Sequence, residues 1–164
     1  MGTKIGRSKG GVGDMTFLSG NALRLAVIAF ALLGHQAWGA TTTPCVLADK
    51  IASNQNSYSY DERYFAGLVY YTEYFGCKNV PRAEQIFLSV AMDGHVGAQF
   101  QLCDLKAFQG DAESAVAWCY VSAELGGAQA KERLKTLHDI TDRAVFEDGV
   151  AKGSELLTRI GSRQ

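Results

Sequence analysis

The sequence predicts an all-α fold, a short α-solenoid of antiparallel helix hairpins stapled by disulfides. Three observations predict it. Apolar residues recur at helical spacing, as Tyr64, Gly67, Leu68, Tyr71 and Phe75 do, and strict alternation over a strand length appears nowhere. Glycines punctuate the chain in step: Gly76 and Gly110 lie 34 residues apart, and Gly94 and Gly126 lie 32 apart. A period in the low thirties with two helices per unit is the mark of a helical solenoid. The third observation is the cysteine count of four, which reads as two disulfides in an oxidising compartment.

The N-terminus predicts that compartment. Residues 1–24 carry Lys4, Arg7, Lys9 and Arg24 against one acid, Asp14. LAVIAFALLG follows, Leu25 to Gly34, too short for the roughly 20 residues a bilayer-spanning helix needs. Next comes HQAWGA, with Ala37 and Gly39 at the small-residue positions of a cleavage site. A basic head, a short apolar centre and a small-residue exit predict a signal peptide over residues 1–39, cut near Gly39 and Ala40. Translation from Met15 in place of Met1 is compatible with the long head. Cys45 follows Thr-Thr-Pro, which is no lipobox, so a soluble periplasmic or secreted product is expected.

About 125 residues remain, one modest domain. They carry 12 Lys+Arg and 16 Asp+Glu, with no basic block to hold phosphates and no second apolar run of membrane length. Nucleic acid is therefore not an expected partner, and no membrane span is expected in the mature chain.

The helices follow in order. Residues 40–60 form an N-terminal capping helix and loop, with Thr43 as N-cap and Pro44 in the first turn. YDERYFAGLVYYTEYFG starts a helix after Asp61 and stops it at Gly76. NVPRAEQIFLSVAMDG opens around Pro81 and closes at Gly94. GAQFQLCDLKAFQG closes at Gly110, and DAESAVAWCYVSAELGG runs from Asp111 to Gly126. AQAKERLKTLHDI and a last helix capped by Thr141 or Asp142 complete residues 131–164 as C-terminal capping helices.

SVAMDGHVGAQFQL aligns with VSAELGGAQAKERL, Ala91 on Ala123 and Gly94 on Gly126. The longer stretch GHVGAQFQLCDLKAFQGDAESAVAWCYVSAELGGAQA resembles a Sel-one-like repeat, a relative of the tetratricopeptide repeat. Ala98, Gln99, Phe100 and Leu102 match that family's first helix, Gly110 its turn, and Ala115, Trp118, Ala123, Glu124 and Gly126 its second helix. AGLVYY, Ala66 to Tyr71, and RAEQIFLSVAMDG resemble a further repeat, so about two repeats cover residues 61–130. The resemblance implies a right-handed solenoid that presents a concave groove of first-helix residues to a peptide or protein. Cys103 departs from the pattern, since it stands where the family prefers glycine.

That departure suggests a staple. Four cysteines allow three pairings, and sequence alone does not choose among them. Cys103 and Cys119 are equidistant from a turn at Gly110–Asp111, so they stand at one height on facing helices. Cys45 and Cys77 lie at one end of another antiparallel pair. The expected bonds are Cys45–Cys77 and Cys103–Cys119. A metal site is not expected, because there is no C-x-x-C and in the mature chain only His95 and His138 accompany the cysteines. A redox pair is not expected either, since Cys103 and Cys119 lie mid-helix.

No G-x-S-x-G, P-loop, H-E-x-x-H or G-x-G-x-x-G occurs in the mature chain, so no enzyme and no cofactor is expected. Six of the seven tyrosines crowd between Tyr58 and Tyr74. Tyr70 and Tyr74 fall off the core face and read either as packing against a neighbouring helix or as a binding patch. With Lys106 and Gln109 they are the groove candidates that motif position supplies. The expected function is an exported protein–protein interaction module, with no oligomeric state specified and a monomer compatible. The alternatives are a small periplasmic inhibitor or immunity protein of an envelope enzyme and, below it, a β-lactam-binding or hydrolysing enzyme.

Overall fold

The computed structural model describes residues 43–162. The expected signal peptide and its expected cleavage point lie outside the described residues. Among these there are seven α-helices and no strand: α1 Pro44–Ser53, α2 Tyr60–Tyr71, α3 Val80–Met92, α4 Val96–Phe108, α5 Ala112–Glu124, α6 Ala128–Ile140 and α7 Arg143–Gly161. A short 3-10 turn, Gln55–Ser57, joins α1 to α2.

Side-chain caps set most helix starts. A capping oxygen or nitrogen accepts a backbone N–H that the helix itself leaves unpaired. Thr43 does this for α1, Asn79 for α3, Asp111 for α5 and Asp142 for α7. At α4 the cap is His95, whose Nδ1 accepts from Ala98 N at 3.0 Å. At α2 it is Ser59 in a capping box with Glu62, so the helix begins before Asp61. The two bonds from Ser59 to Glu62 hold that carboxyl below its usual range. Gly76, Gly94, Gly110 and Gly126 take positive φ at the turns, where a side chain would be strained.

Helix α2 ends at Tyr71, not at Gly76. Thr72 turns extended, and the segment 72–79 is tied back by two links. Asn79 N donates to Tyr70 O at 2.7 Å, and Cys77 stands at disulfide distance from Cys45 on α1, Cα–Cα 6.1 Å. Tyr74 and Phe75 therefore sit in a loop.

Cross-helix contacts show the order of packing. Arg63, early in α2, pairs with Asp93 beyond the end of α3 at 2.8 Å, while Tyr70, late in α2, stacks under Arg82 near the start of α3. So α2 and α3 run antiparallel. Gly67 is the point of closest approach: a Cβ there would lie 2.5 Å from the Phe87 ring. The α4/α5 pair is antiparallel too, with Ser122 Oγ donating to Val96 O at 3.1 Å at one end. Midway, Cys103 and Cys119 stand at disulfide distance, Cα–Cα 5.0 Å, both fully buried. Both expected cysteine pairs are thus the pairs brought together.

The last helix departs from simple succession. α7 lies parallel along α5 and barely touches α6. Gly149 and Gly153 make this possible: a Cβ on Gly149 would lie 2.6 Å from Val116 Cβ, and one on Gly153 2.9 Å from Ala117 O. One buried cluster runs through the chain from Ala48 and Ile51 of α1 to Ile160 of α7.

Candidate interaction surface

The ends of α2, α4 and α6 frame a depression of about 480 Å³. Tyr71 comes from α2, Ala107 and Phe108 from α4, and Leu137 and Ile140 from α6. A second hollow of about 340 Å³ shares Ala107, Leu137 and Ile140 and runs on to Val145 of α7. Asp104 and Arg133 pair at 2.8 Å on the same face, so its charges cancel. Phe108 is 88% and Ile140 73% exposed. Each is the last residue of its helix, past the point where a neighbour covers it. Adjacent large apolar side chains left this open are the usual feature of a contact surface.

The four residues singled out from the sequence fare differently. Tyr70 is only 3% exposed, which corrects its reading as a groove residue. α2 lies between α1 and α3, so two of its faces are covered. The Tyr70 hydroxyl donates to Asp49 of α1, and Arg82 of α3 covers the ring and pairs with Asp49 at 2.8 Å. Burial, then the bond to Asp49, push the phenol up to about 12.

Lys106 and Gln109 both turn to Glu84 of α3. Lys106 Nζ pairs with Glu84 Oε1, and Gln109 Nε2 donates to Glu84 Oε2 at 3.0 Å. The bond from Lys106 is the main reason the Glu84 carboxyl sits below its usual range. These two residues lock α4 to α3. Tyr74 is 88% exposed, in the loop three residues past Tyr71, with its ring edge-on to Phe75 at 5.0 Å. The structure brings none of these four into the depression.

Phe108 and Ile140 were not singled out from the sequence. Their signal was a large apolar residue in the final helical turn, just before Gly110 and Asp142, where a cap usually leaves polar residues. A second groove, about 670 Å³, opens where α6 and α7 diverge over the end of α5. Leu134 and Phe146 are its apolar lining, with the His138 ring edge-on to Phe146 at 5.0 Å. Among the described residues no three His, Cys, Asp or Glu side chains cluster as a metal site. No helix among them is long and apolar enough to cross a membrane. No protein-family model, curated protein or solved structure matches this chain.

Proposed function

We propose that the chain is an exported protein–protein interaction module of the Sel-one-like class, a short right-handed solenoid that binds a peptide or protein in the cell envelope. The observation that carries this reading is the pair of exposed apolar side chains, Phe108 and Ile140, beside a ready-made depression. α2 and α4 would be the first helices of the two repeats and α6 the first capping helix after them, and the ends of these three supply the depression. That is the face a solenoid of this class uses for partners. The two cysteine pairs at disulfide distance agree with an oxidising compartment.

The test places a photo-crosslinking residue at position 108 and, as control, at the exposed position 155 on α7. Both proteins are irradiated in an envelope extract. Capture of one defined partner from position 108 and not from 155 is expected. The double variant Phe108→Asp, Ile140→Asp is expected to lose that partner by affinity capture while its melting temperature stays within a few degrees, since both side chains are exposed. Equal capture by the double variant sinks the reading.

A further inference from the structure

We propose that His95 is an acid-sensitive latch between the two helix pairs, because its neutral ring caps α4 and its protonated ring cannot. His95 Nδ1 accepts the Ala98 N–H at 3.0 Å, which requires that Nδ1 carry no proton. The proton of the neutral ring then sits on Nε2, which faces Asp61 Oδ1 of α2 at 3.2 Å. The ring also stacks on Tyr64 of α2, centroids 4.6 Å apart. One imidazole thus starts α4, the first helix of the second pair, and lies against α2, the first helix of the first pair.

Protonation changes only one of these contacts for the worse. Imidazolium Nδ1–H meets the Ala98 N–H donor to donor, and the cap is lost. The contact with Asp61 gains an ion pair, but Asp61 is 94% exposed at its side chain, where such a pair is worth little. Tyr64 meets the imidazole ring to ring. Asp93, two residues before His95, is held by Arg63 at 2.8 Å. From α5, Ser122 reaches the neighbouring Val96 carbonyl and does not titrate. The capped state is therefore the neutral state. Its stabilisation is present above the range in which histidine gains its proton and is lost as pH falls through it.

The experiment is urea unfolding of the disulfide-intact protein at about pH 7.5 and about pH 5.5, a window in which histidine titrates and ordinary carboxylates stay ionised. The wild-type folding constant is expected to drop about fivefold at the lower pH, the size of one lost N-cap. His95→Asn keeps a capping acceptor that does not titrate, and its folding constant is expected to stay level. His138 remains in both proteins as the internal control. Imidazole 15N spectra of the wild type at about pH 7.5 are expected to show the Nε2-protonated tautomer for His95. A parallel loss in His95→Asn overturns the proposal, and so does an Nδ1-protonated ring at the higher pH.

Discussion

The two central helix pairs solve one problem in two ways. In α2/α3 the helices close over a glycine: Gly67 has no side chain, and the fully buried Phe87 ring fills the space. In α4/α5 the corresponding mid-pair contact is Cys103 against Cys119. The first solution works through packing in the folded state, and Tyr64 and Tyr71 extend it with rings about 6 Å from Phe87. The second works largely on the unfolded chain, by forbidding it to open a 15-residue loop. The first pair is therefore the one that truncating a core side chain should damage most, and the second the one that losing a cross-link should damage most.

Phe87→Ala is the largest expected break. It deletes a ring at the closest approach of α2 and α3, and such truncations cost about 3–5 kcal/mol. Urea unfolding under oxidising conditions measures it. A loss under about 1 kcal/mol would mean that the pair does not depend on this contact. The double variant Cys103→Ala, Cys119→Ala is expected next. The chain-entropy model gives about 3 kcal/mol for a loop of this length. Urea unfolding without reductant measures it, and a variant as stable as the oxidised wild type would remove the staple from the comparison.

A third close approach sharpens the contrast. Gly153→Ala puts a methyl group 2.8 Å from the Tyr120 ring and 2.9 Å from Ala117 O. Here the obstruction includes backbone, so α7 must move off α5, at about 1–3 kcal/mol. The melting temperature should fall, and Lys152 should lose its 2.9 Å pairing with Glu113. An unchanged melting temperature for Gly153→Ala would show that α7 does not need this closeness.

These contacts were not equally legible in the sequence. The turns were, because glycine and capping residues act within three or four positions of themselves. The cysteine pairs were, once a turn at Gly110–Asp111 placed Cys103 and Cys119 at one height. The end of α2 was not. Tyr74 and Phe75 continue a helical apolar pattern, but the chain must reverse to bring Cys77 to Cys45, a demand made 32 residues away. Tyr70 stayed open between packing and groove for a related reason: a helix with neighbours on two sides has no single core face. The G-x-x-x-G spacing of Gly149 and Gly153 was present, yet only the choice of α5 as partner gives it meaning. Phe108 and Ile140 became visible last, because exposure depends on which surfaces the neighbours fail to cover.

The smallest prediction concerns how α3 joins α4. Glu84 receives both Lys106 and Gln109, so residues that looked like groove contacts bind the two pairs together. The Glu84 carboxyl is held below the usual carboxylate range, mainly by the Lys106 bond. A depressed carboxylate stabilises the fold above its unfolded value, and the gain disappears as pH falls through the folded value. Glu84→Gln should therefore cost up to about 1 kcal/mol at neutral pH, because the pair is partly solvated. The gap between variant and wild type should close as pH falls below the ordinary carboxylate range and through the lowered folded value. In Phe87→Ala the gap should persist at all pH values, since no charge is involved. Unfolding curves across that range separate the two. A gap for Glu84→Gln that survives at low pH would mean that the side chain contributes shape, and that charge does not hold the pairs together.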